Sequence, residues 1–135
     1  MKLDLGNLIT TYASINPRTV SGSDTSAVDG TGIDRRGYES AVLVFQVGAV
    51  AGSPTGFTVT CVVSDSSDDS TYTAISTIDS VVITATNTKQ EVSVPLVSVA
   101  RYVRGEMTTA ITGGTTPIIA ITCLGILGAA RVLPA

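Results

Sequence analysis

Along the chain the pattern of apolar and polar positions repeats at short intervals and predicts strands throughout. The densest stretch runs from Gly37 through a Gly/Pro loop to Ser64. No residue from Ser40 to Ser64 is charged, and β-branched and aromatic side chains dominate, as a fully buried strand pair requires. In its first strand both alternating sets are largely apolar: Ala41, Leu43, Phe45 and Val47 on one side, Val42 and Val44 on the other. That strand is expected to be covered on both faces. The second sets Phe57, Val59, Cys61 and Val63 against Thr58 and Thr60, so one of its faces can meet water. Together they read as a core hairpin.

Further strands are predicted near Thr19, Ala27, Tyr72–Ile75, Val81–Ala85, Glu91–Leu96, Arg101–Thr108 and Ile118–Leu127. Turn chemistry separates them, in Ser21–Ser26, Asp29–Gly32, Asp65–Ser70, Asn87–Lys89 and Thr112–Pro117. About eight short strands at spacings of roughly ten residues, with no convincing long helix, predict an all-β single domain. Its expected form is an antiparallel β-sandwich or jelly roll. Residues 1–16 read as an N-terminal arm and 17–135 as the sandwich, with an apolar tail around Val132 and Leu133. Within the arm Leu5, Leu8, Ile9 and Tyr12 sit at helical spacing, while Gly6 and Thr10-Thr11 oppose a helix. A short helix and an extended arm both stay open.

Composition changes the picture from fold to sociability. The 135 residues are 44% hydrophobic and only 14% charged, with a mean hydropathy of +0.41, against about 25% charged for an average soluble domain. The two charge-free stretches, Ser40–Ser64 and Met107–Ala130, exceed what the middle of one small sandwich needs, which implies burial between subunits. A membrane span is not expected: Pro117–Ala130 is uncharged but shorter than the about 20 residues a spanning helix needs. The N-terminus, Met1 to Gly6, lacks the features of a secretory signal, so synthesis in a host cytoplasm is the expectation.

Net charge is −3 and the basic residues are scattered, which argues against nucleic acid as a partner. The adjacent pair Arg35-Arg36 reads as a solvated start of a strand or as an intersubunit salt bridge. Arg104 and Glu106 lie on one strand face and read as an ordinary surface ion pair. Cys61 and Cys123 lie inside apolar runs and match no zinc or redox spacing. They are expected to be reduced core thiols, although a facing pair could oxidise outside the cell.

With no histidine, histidine-based triads and metal sites are excluded. The acids sit mostly in turns and at strand ends, not as a pair across a cleft. Asp65, Asp68 and Asp69 lack the glycine and glutamate of an EF-hand loop and read as a solvated hairpin tip. Neither Gly30-Thr31-Gly32 nor Gly113-Gly114 continues into a phosphate-binding motif. No enzyme activity, cofactor, metal or small-molecule substrate is expected.

One ordering of segments resembles a known family. Ile33–Ala41, an apolar strand, Gly56–Thr60, the acidic Ser64–Asp68 segment, Tyr72–Ile75 and Arg101–Arg104 look like the capsid decoration, or cement, proteins of tailed bacteriophages. The likeness covers residues 30–130. It implies a homotrimer on the outer surface of the phage head, bound to the major capsid protein and stabilising the shell, with no catalytic residues. In that setting Leu3, Leu5, Leu8, Ile9, Tyr12, Arg35, Arg36, Val132 and Leu133 are candidate capsid or subunit contacts. A carbohydrate-binding sandwich or another phage head or tail component is the alternative, although the chain has no Trp to offer as a sugar platform.

Overall fold

The computed structural model describes residues 9–130, and they form a sandwich of two antiparallel sheets. Sheet A contains β1 (Thr10–Ser21), β10 (Ile118–Ala130), β4 (Tyr38–Ala51) and β8 (Thr88–Pro95), in that order across the sheet. Sheet B is built on β9 (Tyr102–Thr112) and β5 (Gly56–Ser66), which pair with each other. At one side of sheet B β9 holds β2 (Ala27–Asp29) and β3 (Ile33–Asp34); at the other β5 holds β6 (Thr73–Ala74) and β7 (Val81–Ile83). The all-β sandwich expected from the sequence is therefore present. It has ten strands where about eight were expected, because β2, β3, β6 and β7 are only two or three residues long.

The expected core hairpin is not a hairpin. β4 pairs with β10 and β8 in sheet A, whereas β5 pairs with β9 in sheet B. The two strands face each other across the core and are joined by an arch over Gly52–Thr55. Thr55 N donates to Thr112 O and Thr115 N to Gly52 O, tying the arch to the β9–β10 loop. The physical reason is that the apolar sets of β4 and β5 are complementary across a core, and each strand finds longer ladders with distant partners than with the other.

The arm resolves towards one of its two open forms. Thr10 to Asn16 are the first part of β1 and pair with β10 from Thr10↔Leu127 onward, so over these residues the extended alternative holds, docked as a sheet strand, and the helix does not form. Register shifts between Ala13 and Ile15 and between Ile15 and Arg18 bend the strand. Together with Pro17 they blunt this edge of sheet A. Residues 1–8 and 131–135 lie outside the described residues.

Phe45, Val59, Met107, Ile119 and Cys123 are all 0–1% exposed and anchor one continuous core between the sheets. Burial pushes both thiols, Cys61 and Cys123, up to about 12, which leaves them protonated and inert at neutral pH. One side of the sandwich is laced shut around Ser14, which is buried where β1 bulges. Its Oγ accepts from Gly105 N at 3.0 Å and donates to Thr31 O at 3.1 Å. Thr31 N in turn donates to Ser14 O, and Gly30 N to Gly105 O at 2.8 Å. A Cβ at Gly30 would stand 2.2 Å from Ser14 Oγ, so glycine is what permits this approach.

Candidate functional site

The two outer faces of the sandwich differ in chemistry. On sheet A the register aligns two outward rows across the four strands. One is Thr11, Ile126, Val42 and Ser93; the other is Ala13, Leu124, Val44 and Glu91. Ile126, Val42, Leu124 and Val44 occupy the two central strands, flanked by polar positions on the edge strand β8. Val44 is only 9% exposed yet belongs to no part of the core between the sheets, and Leu124 is 37% exposed. This open apolar face follows from the sequence feature that suggested double coverage of β4. In the single chain Val44 is nearly covered by its neighbours, while Val42, Ile126 and Leu124 stay partly exposed.

The outer face of sheet B carries exposed Val82 at one side and a paired polar cluster at the other. Arg104 in β9 bonds Glu106 Oε1 at 2.8 Å and approaches Asp29 Oδ2 at 3.5 Å, while the Tyr72 ring stacks on its guanidinium at 4.0 Å. Arg104 and Glu106 side chains are 18% and 22% exposed, so this pair is half-embedded instead of the ordinary surface pair expected. The tip between β5 and β6 folds back to make that cover. Two of its carboxylates serve the loop itself, Asp68 accepting from Ser66 Oγ, Ser70 N and Thr71 N and Asp69 from the Tyr72 hydroxyl, while Asp65 accepts from Ala100 N before β9 at 2.9 Å. Those amide and hydroxyl donors hold the Asp68 carboxyl below its usual range, and burial followed by the Asp69 contact raises the Tyr72 phenol. Among the described residues no group of three or more His, Cys, Asp and Glu could hold a metal ion, and no helix is long and apolar enough to cross a membrane.

The sequence candidates fall in three places. Leu3, Leu5, Leu8, Val132 and Leu133 lie outside the described residues. Ile9 lies just before β1, near Gly128 of β10, and Tyr12 is exposed on β1 opposite Gly125. Arg35 points inward along the chain: its guanidinium donates to the carbonyls of Val99 and Ala100, so it clamps the β3–β4 turn to the segment before β9. Arg36 is exposed and pairs with Asp34 at 3.4 Å. Leu124 and Ile126 were not singled out from the sequence, although an apolar run at both parities of β10 is the signal that could have found them.

Asp34 also receives Arg101, at 2.9 Å, and this hydrogen bond lowers its carboxyl to about 2 against desolvation. Because the folded value lies below the unfolded one, the pair stabilises the fold above about pH 4 and that contribution is lost as pH falls through about 2. Both side chains are more than a third exposed, so screening keeps the effect below about 1 kcal/mol. Thermal melts should therefore show Asp34→Asn slightly less stable than wild type at pH 7. The gap should close towards pH 2 and shrink in salt; a gap that persists unchanged at low pH would refute this assignment.

No family model matches the chain, and no curated protein matches it by sequence. Solved structures do share its fold. The PBSX exported protein XepA superposes with a TM-score of 0.57 at 15% identity, over 93% of this chain and 39% of its own. The SPBc2 prophage-derived protein YomS gives 0.50 at 14% identity, over 88% and 91% of the two chains. A chain from the structure of infectious bursal disease virus, Gx strain, gives 0.50 at 14% identity, over 88% of this chain and 31% of that one. At such identities the likeness is one of fold. The chain spans well under half the length of XepA and of the viral protein.

Proposed function

We propose that the chain is a structural, non-enzymatic protein of a virion, and specifically a decoration protein that binds the outer surface of a phage head and stabilises it as a homotrimer. The observation that carries this reading is the apolar row of Ile126, Val42, Leu124 and Val44 on the outward side of the central strands of sheet A, with Leu124 37% exposed. A freely tumbling monomer has no use for such a face. Fold likeness to a prophage-derived protein and to a chain of a virus structure supports the setting. β1 begins and β10 ends at the same end of sheet A, where Thr10 pairs with Leu127 and Ala130 with Tyr38. Leu3, Leu5, Leu8, Val132 and Leu133 are proposed as contacts with the major capsid protein or a neighbouring copy.

The test pairs light scattering over a dilution series with co-sedimentation on undecorated phage heads. Wild type should have a trimer's mass and pellet with heads. Leu124→Asp combined with Ile126→Asp should keep the circular dichroism of the folded sandwich and lose head binding or trimer mass by at least about tenfold in affinity, as expected for charges forced into a desolvated contact. A strict monomer that ignores heads would overturn the proposal.

A further inference from the structure

We propose that a groove across the outside of sheet A binds a carboxylate-bearing sugar of the hexuronate class. The groove is a shallow, open depression of about 520 Å³, a volume within the roughly 300–1,000 Å³ usual for small-molecule sites. Its floor comes from a local accident of pairing. The β4–β10 ladder shifts register between Ile119 and Ile121, bringing Gly48 against Ala120 so closely that a Cβ on Gly48 would be 3.3 Å from the Ala120 methyl. With so little side chain there, the surface dips.

Beside the apolar Pro17, Val47 and Ile121 that line much of the dip stand polar groups suited to an anionic, hydroxylated ligand. Gln46 and Thr122 come from the central strands, Asn87 from the turn before β8, Lys89 from the start of β8, and Arg18 from β1. No carboxylate lines the groove, in a chain whose net charge is −3. The Arg18 side chain has no ion pair or hydrogen bond among the described residues, and the partner of Lys89, Glu91 at 2.9 Å, lies outside the lining. Thr122 Oγ already donates to Ile15 O at 2.8 Å, which leaves it as an acceptor for a ligand hydroxyl.

Two features select the ligand class. No aromatic ring lines the groove, so a neutral sugar has no stacking platform and affinity must come from charge-assisted hydrogen bonds. An extended peptide is disfavoured because β4 and β10 are interior strands, whose backbone groups are already engaged in ladders. The carboxylate would sit by Arg18 on edge strand β1, and the ring hydroxyls by Thr122 and Gln46 on the two strands between it and Lys89 at the far edge. The inference stands on the groove alone and does not rest on the virion role.

The experiment is a ¹H–¹⁵N NMR titration of the full chain with glucuronate, glucose and acetate in parallel. Glucuronate should shift the amides of Gly48, Thr88 and Ala120, glucose should not, and acetate should bind at least about tenfold more weakly. Arg18→Gln, at an exposed position, should weaken glucuronate about tenfold or more, the worth of a hydrogen bond to a charged group. Ala120→Leu should fill the floor and block binding, whereas Val82→Asp, exposed on the other sheet, should leave it unchanged. Equal binding of glucose, equal binding of acetate, or no groove shifts with glucuronate at about a hundred times the millimolar affinity typical of weak sites would each overturn the assignment.

Discussion

Truncating Phe45 to alanine is expected to cost the sandwich about 3–5 kcal/mol, the upper range for a core substitution. The ring is completely buried in β4, a central strand of sheet A, where it lies in register with Cys123 of β10 and Gln90 of β8. It also reaches across to the other sheet: its Cε1 lies 2.9 Å from where a Cβ on Gly105 of β9 would stand. Phe45 therefore fills the space between the sheets at their centre. Both flanking ladders hold β4 in place, so the cavity left by alanine has little freedom to collapse. Urea denaturation should show a lower midpoint with an unchanged slope. A loss below about 1 kcal/mol would mean that the sheets close over the gap.

The opposite change at the same place should also be costly. A Cβ on Gly105 would lie 2.6 Å from Cys123 Sγ as well as against the Phe45 ring, and neither neighbour has room to move. Gly105→Ala is expected to destabilise by about 1–3 kcal/mol and Gly105→Val by more. The strand cannot yield, because Gly105 N and O are both tied, to Ser14 Oγ and to Gly30 N. Combining Gly105→Ala with Cys123→Ala removes the nearest obstructing atom and should recover a measurable part of the loss. Strict additivity of the two substitutions in chemical denaturation would argue against the close contact.

These two neighbours also illustrate what was legible in the residues. Phe45 stands out from the pattern of β4 as a core position, and its burial follows from alternation alone. Gly105 looked like one more small residue on the polar-flanked strand Arg101–Thr108. Its importance depends on Cys123 and Ser14, both far away in the chain. Arg35 is similar: the sequence offered solvent or a partner subunit, and the fold supplies the carbonyls of Val99 and Ala100. The candidate surface was half legible. Double-sided apolarity in β4 pointed to a strand covered on both faces, and so to a second face that needs a partner, but the groove beside it required the register shift that sets Gly48 against Ala120.

Period-two alternation, turn residues and the shortage of charge were enough to establish an all-β sandwich with more apolar surface than one small core consumes, because those signals are local or summed over composition. Which strands share a sheet was decided in three dimensions. A strand's side-chain pattern states which face is buried but carries no record of its neighbour in the ladder. The β4–β5 pair thus became an arch between sheets, Thr10–Asn16 became an edge of sheet A, and the acidic tip became a cover for Arg104. In each case contacts between residues remote in the chain outweighed the local preference.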